Sequence, residues 1–221
     1  MSYFLYISKA KVDMILPNIP LEAQRKISSE IGVELGFFSA KRSEERSTLD
    51  SDVSRVNAAS KYILSAKQVG TLAQPGSWVH DTAEVSYFNF PYAPDVIFFA
   101  GEKGNTIFAL GGSRHHIVGD CRGENSIHGM SFMPRLLDAL KGQILRPDPD
   151  GVKDKTVARY IGMGVSNGPQ AWIGPMRDMA GNTSVVKQKV EILAKVLLNE
   201  SVNWDSHLHI LATPLYISLA D

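Results

Sequence analysis

The feature that most constrains this chain is a pair of uninterrupted apolar runs, Val96-Ile97-Phe98-Phe99-Ala100 and Thr106-Ile107-Phe108-Ala109-Leu110, separated by Gly101-Glu102-Lys103-Gly104-Asn105. Two such runs either side of a short glycine-containing loop predict a β-hairpin. Neither run alternates with polar residues, so the hairpin is expected at the centre of a sheet with both faces covered. The chain is large enough for this: with 221 residues, it buries roughly 70% of the surface its unfolded form exposes.

Around the hairpin the apolar period changes repeatedly. Tyr3 to Ile7 reads as a buried first strand, Leu21 to Ile31 as a short helix with Asn18 capping it ahead of Pro20, and Val33 to Ala40 as a second strand. Asp50-Ser51-Asp52 opens a helix expected to reach about Lys67. It has Val53, Val56, Ile63 and Leu64 on one face and acidic groups where the macrodipole favours them. Gln74-Pro75-Gly76-Ser77 is a turn, and Val79 to Phe90 is extended. Ser131 to Lys141 reads as a helix, Arg146 to Gly151 as an exposed loop, Val157 to Met163 as a strand, and the Gly-, Pro- and Asn-rich stretch Gly164 to Gly181 as irregular. Val186, Val190, Leu193 and Leu197 form a stripe with Lys187, Lys189 and Lys195 outside it, which predicts a helix over Val185 to Leu198. The last strand is His209 to Leu219, where Pro214 implies an edge position, a bulge or a break. Strands and helices in this irregular order indicate the α+β class: one domain over 1–221, built on a mostly antiparallel mixed sheet with helices packed on it.

Charge removes several classes of function. The 23 basic and 23 acidic side chains cancel, and the densest cluster, Lys41-Arg42-Ser43-Glu44-Glu45-Arg46, is mixed in sign. Without a basic face for phosphates, duplex nucleic acid is not expected as a partner. Cys121 is the only cysteine, which rules out an intramolecular disulfide and fits a reducing compartment. The first nine residues lack the charged and apolar regions of a signal peptide, and no apolar run approaches a membrane span. A cytoplasmic protein without a membrane partner is the expectation.

One segment stands out chemically. Leu110-Gly111-Gly112-Ser113-Arg114-His115-His116-Ile117-Val118-Gly119-Asp120 leaves the end of the second hairpin strand. Gly111 and Gly112 allow close approach of the backbone to a ligand, Ser113 supplies a donor, and Arg114 can hold a phosphate or carboxylate bidentately. His115 or His116 can serve as a general acid or base near neutral pH. If the segment is extended, the two histidines face opposite sides. The structural alternative is a glycine bulge followed by a polar strand. Lys9, directly after the first strand, can point into a cleft at the sheet's end. Trp78-Val79-His80 is placed beside the same cleft.

Other motifs fail on context. Gly111 to His115 is not a nucleophile elbow, since the second glycine and the following helix are missing. Cys121 as a nucleophile is a minor alternative to an inert thiol. Gly162-Met163-Gly164-Val165-Ser166-Asn167-Gly168 is followed by Pro169 instead of the helix that would hold a dinucleotide's pyrophosphate. His207 and His209 share a face in a strand and could hold zinc only with a third ligand such as Asp205 or His80. An exposed strand start is the simpler reading, and no metal or other cofactor is expected. Asp148-Pro149-Asp150-Gly151 lacks the later ligands of a calcium loop.

Several segments taken in order carry a resemblance to a family. They are Tyr6-Ile7-Ser8-Lys9-Ala10-Lys11-Val12-Asp13-Met14, the Pro75-Gly76 turn, Phe98-Phe99-Ala100-Gly101, Leu110 to His115 with Gly119, Val190-Glu191-Ile192-Leu193-Ala194, and Ala212-Thr213-Pro214-Leu215-Tyr216-Ile217-Ser218-Leu219-Ala220-Asp221. Over essentially its whole length the chain resembles a bacterial family of domains of unknown function. The resemblance implies a loose association with signalling and defence loci and no catalytic residue. His207 and His209 are not part of it.

Three roles follow as expectations. The first is a module binding a small anionic ligand, such as a nucleotide or nucleotide messenger, against Gly111 to His116 with Lys9 and Arg114 supplying charge. The second is a metal-independent hydrolase or phosphodiesterase with a histidine acid–base. The third is an interaction module for a partner protein or a second copy of the chain. Turnover of a bound nucleotide that disappears in His115→Ala or His116→Ala supports the second role. Full turnover in both variants removes those histidines from it.

Overall fold

The computed structural model describes residues 3–31, 48–65, 68–90, 93–119, 136–137, 172–182, 185–203 and 205–220. The expected strands at 33–40 and 157–163, the loop at 146–151, Cys121 and nearly all of the expected helix at 131–141 lie outside these residues.

Strands β3 (Trp78–Phe90), β4 (Ala93–Lys103) and β5 (Thr106–Ser113) form an antiparallel meander in the described fold. The β4–β5 hairpin is the one expected from its apolar runs, but its turn is tighter. Lys103 pairs with Thr106, so only Gly104 and Asn105 make the loop. Gly104 takes φ 58° at the first central position, where an L side chain is disfavoured and glycine is at home.

β6 (Gln188–Val202) lies antiparallel beside β3, giving the order β6-β3-β4-β5 of a Greek key. β7 (Asp205–Leu219) pairs antiparallel with β6 and parallel with β5. These last two ladders close the sheet on itself into a five-stranded barrel. β1 (Phe4–Ile7) adds to β7, and β2 (Val69–Gly70) adds to β3, for seven strands among the described residues in a mixed, mostly antiparallel sheet. With its helices packed outside, this is an α+β fold.

Three apolar groups hold it together. Val79, Val85, Ile97, Phe99, Phe108 and Ile192 are among those that fill the barrel lumen. Their neighbours on β4 and β5, such as Phe98 and Ala109, point outward beneath α4 (Ile173–Gly181), Trp172 and Leu136. On the other side α1 (Lys9–Ile15), α2 (Leu21–Ile31) and α3 (Thr48–Leu64) cover Leu193, Leu215 and Tyr216. Each fully buried large side chain contributes about 1.5–3 kcal/mol.

Two expectations are corrected. Val185 to Leu198 is not a helix, because β6 occupies Gln188–Val202. Val190, Ile192 and Ala194 enter the lumen while Leu193 faces the helices, so apolar residues lie on both faces of the strand. A strand covered on both sides satisfies helical spacing as readily as its own. The stretch Gly164 to Gly181, read as irregular, contains α4. Its Pro175 lies in the first turn, where the missing N–H has no intrahelical partner to lose.

Pro214 makes a bulge, one of the outcomes expected of it. Leu193 pairs with Tyr216 and Ala194 with Pro214, so Leu215 is skipped in the ladder. The carbonyls there are taken by α1's approach: Ser8 N–H donates to Leu215 O at 2.8 Å, and Lys11 Nζ to Pro214 O at 3.1 Å. No helix among the described residues is long and apolar enough to cross a membrane.

The space beside Gly112 is filled by the Tyr6 phenol, with which a Cβ would collide. Gly112→Ala should therefore destabilise the fold by about 1–3 kcal/mol through overpacking. Gly181→Ala, with open space around it, should change stability by no more than about 0.5 kcal/mol. Urea denaturation of both variants tests this. Equal midpoints would show that the Tyr6–Gly112 contact yields without cost.

Candidate functional site

The outer face of the barrel presents two different surfaces. Five-stranded Greek-key barrels of the OB type bind oligonucleotides on the outer face of their second and third strands. Here those strands are β4 and β5, and their outward side chains are buried under α4, Trp172 and Leu136. The opposite wall, made by β6, β7 and β1, faces α3 and leaves a cavity of about 320 Å³. That volume is at the small end of ligand pockets.

Polar and apolar side chains share the lining. Asn57, Ser60, Lys61 and Leu64 come from α3, Glu191 from β6, Tyr216 and Ser218 from β7, and Phe4 from β1. Residues four apart share a helix face, which places Asn57 and Lys61 together on the roof. Tyr216 and Ser218, two apart in a strand, both face outward while Ile217 enters the lumen. Glu191 lies directly opposite Ser218 in the β6–β7 ladder.

Three side chains lock this floor. Tyr216 Oη donates to Glu191 Oε1 at 2.6 Å, and His80 Nε2, on β3, bonds the same oxygen at 2.9 Å. A carboxylate can only accept, so His80 carries its proton on Nε2. Burial pushes the Glu191 carboxyl upward, but the bonds from His80 and Tyr216 and the charge of His80 outweigh it and hold the group below its ordinary range. Burial, then the bond to and charge of Glu191, push the Tyr216 phenol up. The pair is therefore an ionised carboxylate beside a protonated phenol. Both bonds fall on Oε1, which leaves Oε2 without a partner among the described residues.

Ser218 is 1% exposed, and its hydroxyl makes no hydrogen bond among the described residues. A buried hydroxyl without a partner costs about 1–3 kcal/mol. Ser60, by contrast, is satisfied by Val56 O at 2.6 Å.

The residues singled out from the sequence lie elsewhere. Gly111 and Gly112 are buried in β5, and the room beside them holds Leu136 and Tyr6. Ser113 ends the strand, and Arg114–His116 form a 3₁₀ turn, so the extended geometry that would oppose the two histidines does not arise. His115 is exposed. His116 lies 5.8 Å from the Tyr6 ring, its Nδ1 3.3 Å from Ile7 O. Tyr6 bonds the Ser113 backbone and Ser8, and burial raises its phenol. Lys9 pairs with Asp52 of α3 at 2.6 Å. Lys11, two residues on, is half-buried, drawn down to about 8 by desolvation and bonded to Ser8 Oγ at 3.1 Å.

His207 and His209 do share one partner, which is the Asp205 carboxylate. His207 Nδ1 lies 2.6 Å from Oδ1, and His209 Nε2 3.0 Å from Oδ2. Arg177 of α4 meets the same group at 3.1 Å. Burial raises Asp205, but the His207 bonds and the charges of Arg177 and His209 bring it below the ordinary range. Among the described residues no three His, Cys, Asp or Glu side chains are grouped to hold a metal.

The sequence places His80 beside a cleft but assigns no site role to Glu191, Tyr216, Ser218, Asn57 or Lys61. The available signal was polar residues inside otherwise apolar strands, Glu191 in Val190 to Leu198 and Ser218 in Leu215 to Leu219.

The lowered carboxyl gives a pH signature. The folded Glu191 titrates below its ordinary 4.5, so its contribution to stability is full above that value and is lost as pH falls through the lower folded value. The stability gap between the native chain and Glu191→Gln, read from urea midpoints at pH 7 to 3, should shrink on acidification. A gap independent of pH would detach Glu191 from this network. Tyr216→Phe should cost about 1.5–3 kcal/mol by removing a hydrogen bond to a charged group.

No curated protein and no solved structure matches the chain. A family model described as a family of unknown function, DUF7019, matches residues 2–221. That match spans nearly the full sequence, and the chain belongs to the DUF7019 family.

Proposed function

We propose that this protein is a ligand-binding module that takes a small polar molecule in the cavity between α3 and the barrel wall. A sensor of this kind fits the signalling and defence association that the family resemblance implies. The observation that carries the reading is Ser218: a buried hydroxyl without a partner among the described residues, on a cavity floor beside an ionised carboxylate whose second oxygen is likewise unpartnered among them. Unsatisfied buried polar groups are rare in folded proteins, and a ligand-binding surface is one setting that accounts for them. Convergent polar groups in a preformed concave site add to this support. His115 and His116 do not line this cavity, so a hydrolytic role through them would require substrate at the far end of β5.

Thermal-shift screening of the purified chain against sugars, sugar phosphates, nucleosides, nucleotides, amino acids and polyamines tests the reading. A compound at a hundred times its Kd stabilises by about 2.7 kcal/mol. The shift should disappear in Asn57→Trp, which fills the cavity from the exposed roof, and weaken in Ser218→Ala. An equal shift in Asn57→Trp, or no shift with any compound class, overturns it.

A further inference from the structure

We infer that the ligand of this cavity carries a primary ammonium group, which binds between Glu191 and Ser218. The inference rests on the proposed binding role and specifies it.

The hydroxyl protons of the lining are largely committed. Tyr216 Oη donates its proton to Glu191 Oε1, and Ser60 Oγ donates to Val56 O at 2.6 Å. A hydroxyl has one proton, so both oxygens meet a ligand only through their lone pairs. The Glu191 carboxyl is ionised and has no proton to give. Its Oε2 has no partner among the described residues. Asn57 and Ser218 can each donate or accept. The lining therefore offers a surplus of acceptors.

Ligand groups differ in how they meet such a surface. A phosphate or carboxylate brings lone pairs and places a second negative charge beside Glu191. A hydroxyl brings one proton and two lone pairs. An ammonium brings three protons, no lone pair and the opposite charge. Glu191 and Ser218 are directly opposed across antiparallel strands, with Cβ atoms about 4.5–5.5 Å apart. One ammonium can donate to both, and Ser60 and Asn57 line the same cavity as acceptors for its third proton. Hydrogen bonds between a charged donor and a carboxylate are about twice as strong as neutral ones.

The side chains already near Glu191 leave this need open. The His80 bond falls on the other oxygen, and a neutral imidazole makes it as well as a charged one. Lys61 also lines the cavity, but it already has a partner in the chain, so its charge is engaged. Phe4 and Tyr216 meet edge to face at 5.5 Å, and Leu64 belongs to the same lining. These apolar surfaces suit the carbon stem that bears the ammonium.

Isothermal titration of the full chain with butylamine, putrescine and tyramine tests this. The comparators are their analogues in which a hydroxyl, a carboxylate or a trimethylammonium replaces the ammonium. The last keeps the charge and removes the protons. At least one amine should bind, and each replacement should weaken it by about tenfold or more, the scale of one hydrogen bond to a charged group. Ser218→Ala, which removes only the oxygen, and Glu191→Gln should each weaken the amine by a similar factor. Circular dichroism confirms that each variant is folded. Equal affinity for an amine and its hydroxyl or trimethylammonium analogue, full affinity in either folded variant, or no heat from any amine overturns the inference. If a sugar or nucleotide binds instead and Asn57→Trp blocks it, the ligand class is wrong and the cavity reading survives. If a bound compound ignores Asn57→Trp, both fall.

Discussion

β7 is hydrogen-bonded along both edges, to β6 over nearly its whole length and to β5 and β1 on the other side. Its parallel ladder with β5 joins the two ends of the Greek key, and without it the five strands would form an open sheet with two bare edges. Closure removes those edges and their unpaired N–H and C=O groups. It also defines an inside. Ile210, Ala212 and Ile217 enter the lumen, while Leu211 and Tyr216 point to opposite helical layers. A strand that serves three apolar clusters leaves few positions for polar side chains, so Ser218 in this run is conspicuous.

The cavity is a by-product of how α3 meets that wall. Val56, Ala59 and Ile63 pack tightly in the same layer as Leu193 and Leu215. Asn57 and Lys61, on the adjoining face of the helix, line the same cavity as Glu191 and Ser218. The His80–Glu191–Tyr216 network then keeps the carboxylate in place across three different strands. Its geometry depends on the β3–β6 and β6–β7 registers, and a one-residue slip in either would turn Glu191 into the lumen. The bulge at Pro214 lies two residues from Tyr216, and the carbonyls it frees are bonded by Ser8 and Lys11. Fold and site therefore share the same strand, and changes that loosen β7 will reach both.

The glycine pair shows how one sequence feature can serve a purpose other than the expected one. In the sequence, Gly111 and Gly112 offer bare backbone that can admit a ligand. In the fold the same bareness admits Leu136 on one side of the strand and the Tyr6 ring on the other. Tyr6 in turn bonds Ser113 and Ser8 and lies beside His116. The polar residues of this segment gather around a buried phenol, while Lys9 turns to Asp52 on α3.

Local chemistry in the sequence determined the β4–β5 hairpin and its covered position, the α2 and α3 helices, the extended run of β3, the interruption at Pro214 and the α+β class. Each follows from apolar period, turn residues or a missing N–H within a dozen residues. The tertiary structure alone decided that 188–202 is a strand, that the sheet closes, and that His80, Glu191, Tyr216 and Ser218 meet beneath Asn57 and Lys61. The physical reason is sequence distance. His80 and Glu191 are 111 residues apart, and a strand with apolar residues on both faces can show the local spacing of an amphipathic helix until a closed barrel supplies an inside and an outside.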